Sequence, residues 1–203
     1  MHHLILALGG YLLGCSNPAY YLSKLKKVDM RSKGSGNLGA SNSTILFGWK
    51  TGILVALHDI GKAALSVLLA RFFFPDSPLA GVLAGVSCVF GHIFPFYLKF
   101  RGGKGFASFW GMTLALNWRL ALILALVVFL VTAITDYISL GTAATVISVP
   151  VYMAVTAAGL IPVLMVMAAS VVILGKHLEN YRRILKGEEL GLRDAFRGNE
   201  RIK

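Results

Sequence analysis

Between Arg119 and Lys176 the chain carries a single charge, Asp136. That stretch divides at short polar turns into three apolar segments, 120–135, 138–157 and 160–176, each near the length that crosses a lipid hydrocarbon core. No soluble fold can hide so much consecutive apolar sequence. The rest of the chain repeats the pattern: 56% of its 203 residues are hydrophobic and 14% are charged. The class is therefore a polytopic, all-α integral membrane protein. No linker is long enough to separate two domains, so residues 1–203 are expected to form a single membrane domain.

Four further segments complete the count. Residues 4–22 form the first, with a kink at Pro18 and with Ser16 and Asn17 beside it to cover freed backbone groups. It lacks a basic leader and a small-residue cleavage site, so it reads as a retained helix. His2 and His3 read as a disordered tip. The second segment is 51–72, cut from a longer apolar run by Lys50, and the third is 79–98. Residues 106–116 make a short fourth, and Asn117, Trp118 and Arg119 after it read as interfacial. Between the first two segments, 24–43 is a basic loop rich in Gly, Ser and Asn; 75–78 is a tight turn.

Net charge is +11. On a soluble chain this would suggest nucleic acid. In a membrane protein the positive-inside rule and anionic lipid headgroups account for it, so a lipid bilayer and no nucleic acid are the expected partners. Seven crossings with the N-terminus outside place 17 of the 20 Lys and Arg residues on the inner face. Arg71 and Arg119 fall on the other side, and Lys62 lies within a segment. Merging the fourth and fifth segments would move the tail across and spoil this asymmetry. The two cysteines, Cys15 and Cys88, lie in apolar segments and read as small packing residues.

The polar stretches carry the chemistry. Gly34-Ser35-Gly36-Asn37-Leu38-Gly39 matches the dinucleotide fingerprint in letters only, because no strand precedes it. Arg101-Gly102-Gly103-Lys104-Gly105 fails as a nucleotide-binding P-loop: position 98 is Leu, and Gly105 follows the lysine where Ser or Thr is needed. Glycines around a lysine before a helix still form an open turn suited to an anion. Asp59 and Lys62 share a helical face, and the cost of burying either predicts an ion pair facing into the bundle. His92, near the end of the third segment, reads as a satisfied buried histidine. His177, Asn180 and Tyr181 share another face, a pattern that suits a polar ligand. Arg182 and Arg183 beside them read first as topology anchors, and Gly187 as a helix stop. There is no metal-ligand spacing, no H-E-x-x-H, no G-x-S-x-G and no H-x-x-x-x-D. No metal or cofactor is expected, and any group transfer must use a donor that arrives activated.

Taken together, residues 34–42, 91–105 and 177–189 resemble, in order, the three motifs of the bacterial acyl-phosphate:glycerol-3-phosphate acyltransferases, the PlsY family. Ser41 stands where that family usually has Thr, with the hydroxyl kept. The resemblance implies transfer of an acyl chain from acyl phosphate to the 1-hydroxyl of glycerol 3-phosphate. The products are lysophosphatidic acid and phosphate. It also implies residence in the bacterial cytoplasmic (inner) membrane with the active site facing the cytoplasm. On that footing Lys104 and the backbone N–H groups of Gly102 and Gly103 hold the acyl phosphate. Ser35, Gly36 and Asn37, with Ser41 and Asn42, hold the same phosphate or the acyl carbonyl. His177 and Asn180 orient glycerol 3-phosphate, with Arg182 or Lys33 on its phosphate. The base is either His177 or the donor phosphate itself. A membrane transporter for a phosphorylated solute is the competing class, but the two halves show no inverted repeat.

Overall fold

The computed structural model describes residues 2–193. Among them the fold is all-helical: α1 His2–Cys15, α2 Pro18–Leu25, α3 Ala40–Phe47, α4 Trp49–Phe73, α5 Ala80–Ile93, a 3-10 turn Phe96–Leu98, α6 Phe106–Leu116, α7 Trp118–Thr135, α8 Ile138–Val155 and α9 Leu160–Leu185. Five of these units are long and apolar enough to cross a membrane: α4, α5 with its 3-10 turn, α7, α8 and α9. α6 is apolar but has only 11 residues, and α1 has 14.

The expected kink at Pro18 is a full break. The Asn17 side chain accepts from the Tyr20 N–H at 2.9 Å, and Pro18 takes the first helical position, where a missing N–H costs nothing. One expected segment is thus two helices. His2 and His3, expected to be disordered, begin α1, stacked by His2 on Phe74. Trp118 and Arg119 belong to α7, whose N-cap is Asn117, accepting from the Leu120 N–H at 3.0 Å. The last apolar segment does not stop at residue 176, because α9 runs on through the polar residues to Leu185.

α1 lies directly on α5. A Cβ at Gly10, Gly14 or Gly91 would strike the carbonyl oxygen of Ala84, Cys88 or Tyr11 respectively, so the two backbones touch. In a membrane such close approach supplies the dispersion contact that apolar burial cannot, since lipid is as apolar as leucine. The largest core cluster joins Val67 of α4, Val86 and Val89 of α5, Phe109 and Met112 of α6, Val146 of α8 and Val166 and Ile173 of α9. Large apolar side chains such as Leu54, Leu68, Leu126, Phe129, Ile147 and Val171 point outward. A helix bundle that is apolar outside as well as inside is built for lipid.

Candidate active site

Helices α3, α4, α6, α8 and α9, His92 of α5 and two loops line a cavity of about 480 Å³. Three polar segments reach it, each positioned by a different device.

The first is the loop before α3. Asn42, fully buried, donates from Nδ2 to the carbonyls of Met30, Asn37 and Lys33 at 2.8, 3.0 and 3.2 Å. Its Oδ1 accepts from the Ser35 N–H at 2.8 Å. Asn42 is therefore the loop's internal staple, and it does not line the cavity. The loop it shapes presents Ser35, Asn37 and Ser41 there. Gly36, in the left-handed region at φ +70°, turns the chain and stays out of the lining.

The second segment follows α5. The N–H of Gly102 donates to Ile93 O at 2.9 Å, and that of Gly103 to His92 O at 3.1 Å. The expectation that these two N–H groups reach for an anion fails, because they cap α5 instead. What faces the cavity is Lys104 and the first turn of α6, with Gly105, Phe106 and Ala107 in the lining. The cavity is thus faced here by a helix N-terminus with a lysine beside it, a pairing of positive groups suited to an anion.

The third segment is the polar end of α9. His177 and Asn180 are buried and line the cavity. The Lys104 ammonium donates to Asn180 Oδ1. Asn180 Nδ2 donates to Glu189 Oε1 at 2.5 Å, and Arg183 Nε donates to Glu189 Oε2 at 2.6 Å. Burial lowers the Lys104 pKa to about 8, with the Arg183 charge adding to the effect. His177 Nδ1 lies 2.8 Å from Ile173 O. A carbonyl only accepts, so Nδ1 carries the proton and Nε2 is left with a lone pair.

Some candidates lie elsewhere. Lys33 and Arg182 are exposed and absent from the lining; Arg182 faces Glu179 at 3.9 Å. Arg183 lines the cavity instead. Helical spacing carried that signal, since His177, Asn180 and Arg183 fall three apart on one face. Glu189 was missed as a site residue because it acts from beyond the helix, and no periodicity reaches it. The expected Asp59–Lys62 pair is present at 2.7 Å, and Asp59 and His92 form part of the cavity wall. The tail beyond residue 193, expected to be basic, lies outside the described residues.

A family model described as glycerol-3-phosphate acyltransferase matches residues 4–187. Glycerol-3-phosphate acyltransferase 1 of Oceanobacillus iheyensis is 37% identical, covering 97% of this chain and 98% of that one. Glycerol-3-phosphate acyltransferase of Clostridioides difficile is 39% identical over 92% of this chain and 94% of that one. Among solved structures, PlsY (YgiH), an integral membrane glycerol 3-phosphate acyltransferase, superposes in its glycerol 3-phosphate form. The TM-score is 0.87 at 33% identity, covering 95% of this chain and 96% of that one. Its lysophosphatidic acid form gives a TM-score of 0.83 at 33% identity, covering 94% and 95%.

Proposed function

The chain belongs to the glycerol-3-phosphate acyltransferase family in its PlsY branch, and from that premise we propose how its cavity performs acyl transfer. The protein is a membrane acyltransferase that acylates glycerol 3-phosphate to lysophosphatidic acid. The transporter reading falls with the family assignment.

The donor is an acyl phosphate, a mixed anhydride that needs no enzyme nucleophile. Lys104 and the N-terminus of α6 hold its phosphate and offset the charge that develops as the phosphate leaves. Ser35, Asn37 and Ser41 face the acyl carbonyl across the cavity. Asn180 and His177 orient glycerol 3-phosphate, with Arg183 on its phosphate. The 1-hydroxyl oxygen of glycerol 3-phosphate bonds to the acyl carbon, and the bond from that carbon to the phosphate oxygen breaks. The hydroxyl proton passes to an oxygen of the departing phosphate. His177 Nε2, as an acceptor, aligns that hydroxyl during the attack. The observation that carries this reading is the convergence of Lys104, Asn180 and the His177 lone pair on one cavity at a helix N-terminus.

The single membrane domain crosses the bilayer seven times: α1 with α2, α4, α5 with its 3-10 turn, and α6 to α9 in turn. The N-terminus is outside, and the cavity opens to the cytoplasm at the bacterial inner membrane. The basic residues clustered in the first loop, the Lys104 turn and the tail support this orientation. The test is turnover by purified protein in detergent with acyl phosphate and glycerol 3-phosphate, followed by phosphate release. Turnover with acyl-coenzyme A but not with acyl phosphate would refute the donor. Cysteines placed at Ser32 and Arg101, both exposed, must resist an impermeant reagent added outside and react once the membrane is opened, and labelling of either from outside would refute the topology.

A further inference from the structure

The cavity holds a second histidine, and its protonation is set by a neighbour in the opposite sense to His177. Lys62 Nζ lies 2.7 Å from Asp59 Oδ1, 2.6 Å from Ser16 O and 2.9 Å from His92 Nδ1. An ammonium has three protons and no lone pair. Three acceptors match three donors only if His92 Nδ1 is bare. A proton there would face the ammonium at close range and leave Lys62 one acceptor short, at a depth where unmade hydrogen bonds are costly. Asp59 Oδ1 lies 3.3 Å from the same nitrogen but outside hydrogen-bond geometry for a proton on Nδ1, whereas the Lys62 ammonium meets that nitrogen at 2.9 Å.

The ring proton is therefore on Nε2. Among the described residues the His92 ring makes its hydrogen bond through Nδ1, and Nε2 is not one of the sealed, unpartnered polar atoms; His92 forms part of the cavity wall. It sits against Gly103, one residue before Lys104. The ring cannot turn away: its side chain is 3% exposed, and its own carbonyl holds the Gly103 N–H at 3.1 Å.

We propose that His92 Nε2–H donates a hydrogen bond to the phosphate oxygen of the substrate group that Lys104 holds, and that Lys62, held by Asp59 and Ser16 O, is the positioning residue that keeps the proton on that nitrogen. The inference rests on the acyl-phosphate reading and adds to it a neutral donor from the membrane side of the site. Ser16 belongs to the break between α1 and α2. The break therefore has a task at the site: its free carbonyl takes the third Lys62 proton.

The experiment uses full-length protein and three variants. Glutamine places its amide nitrogen near the histidine Nε2 position, and asparagine places its own near Nδ1. His92→Gln is expected to keep kcat/KM within about 10-fold of wild type, whereas His92→Asn and His92→Ala lose about 10–100-fold more, the range for a hydrogen bond to a charged group. The loss falls on turnover of acyl phosphate at matched folded protein. In wild-type protein with 15N-labelled histidine, His92 shows a bare Nδ1 and a protonated Nε2, and the Nε2 resonance moves on adding inorganic phosphate. A proton on Nδ1, a resonance unmoved by phosphate, or equal activity of the Gln and Asn variants overturns the inference while wild-type turnover leaves the acyl-phosphate reading standing. Wild-type protein inert toward acyl phosphate overturns both.

Discussion

Gly103→Ala puts one methyl group between the His92 ring and the first loop of the site. Its Cβ would fall inside contact of His92 Nε2, 2.8 Å from His92 Cε1 and 2.9 Å from Leu38 O. One obstacle is backbone, and the other is a ring pinned by Lys62 at 2.9 Å. Since ordinary contact begins near 3.4 Å, the turn must retreat from Leu38 O by about 0.5 Å, and further from the ring. Overpacking of this kind costs about 1–3 kcal/mol, which a fold stable by about 5–15 kcal/mol survives. Catalysis is less tolerant. Lys104 is the next residue, and a displacement near 1 Å at a reacting group costs about 10²-fold. Gly103→Ala is therefore expected to lose about 100-fold in kcat/KM while still folding. The control is Gly175→Ala, an exposed helical position with nothing within 4 Å of the added carbon; it should leave activity unchanged. The assay is phosphate release from acyl phosphate and glycerol 3-phosphate at matched folded protein. Wild-type kcat/KM for Gly103→Ala, or a loss matched by the fraction unfolded, would refute the steric reasoning.

Lys104→Ala should lower kcat by about 10²–10³-fold, whereas Arg101→Ala, an exposed residue outside the cavity, stays near wild type; rates of the two variants measured side by side decide. A lysine is charged below its pKa, so kcat/KM of the free enzyme should fall as pH rises through about 8. Lys104→Arg should remove that alkaline limb without restoring full rate. Arg183→Ala should raise KM for glycerol 3-phosphate more than Arg182→Ala, and the reverse order would return the phosphate to Arg182. Asn42→Ala strips the loop of its staple and should cost at least about 1–3 kcal/mol by thermal unfolding, with activity lost through the loop.

What the sequence made legible was what depends on local order. Apolar run length found α4, α7 and α8 nearly to the residue, and α6 at both ends. Helical spacing put His177 and Asn180 on one face and predicted the Asp59–Lys62 pair. The misses have a common cause, which is competition for hydrogen bonds between segments far apart in the chain. Asn42 looks like a ligand residue until Met30, Lys33 and Asn37 are seen to take its amide. The N–H groups of Gly102 and Gly103 look free until α5 is seen to end where they can cap it. Glu189 gains its place only because Asn180 and Arg183 meet it across a helix end. Pro18 shows the limit of a local rule: α8 runs on through Pro150, whereas at Pro18 the Asn17 cap decided between bend and break.

The backbone contact between α1 and α5 also sets an order of events during synthesis. Gly14 and the Cys88 carbonyl it touches are 74 residues apart in the sequence. At about 5–20 residues per second, α5 leaves the ribosome roughly 4–15 s after α1. For that interval the glycine face of α1 is without the surface it fits. An added side chain at Gly10 or Gly14 would do no harm then and would block docking once α5 arrived. Such a variant should insert into the membrane with normal yield and fail at assembly.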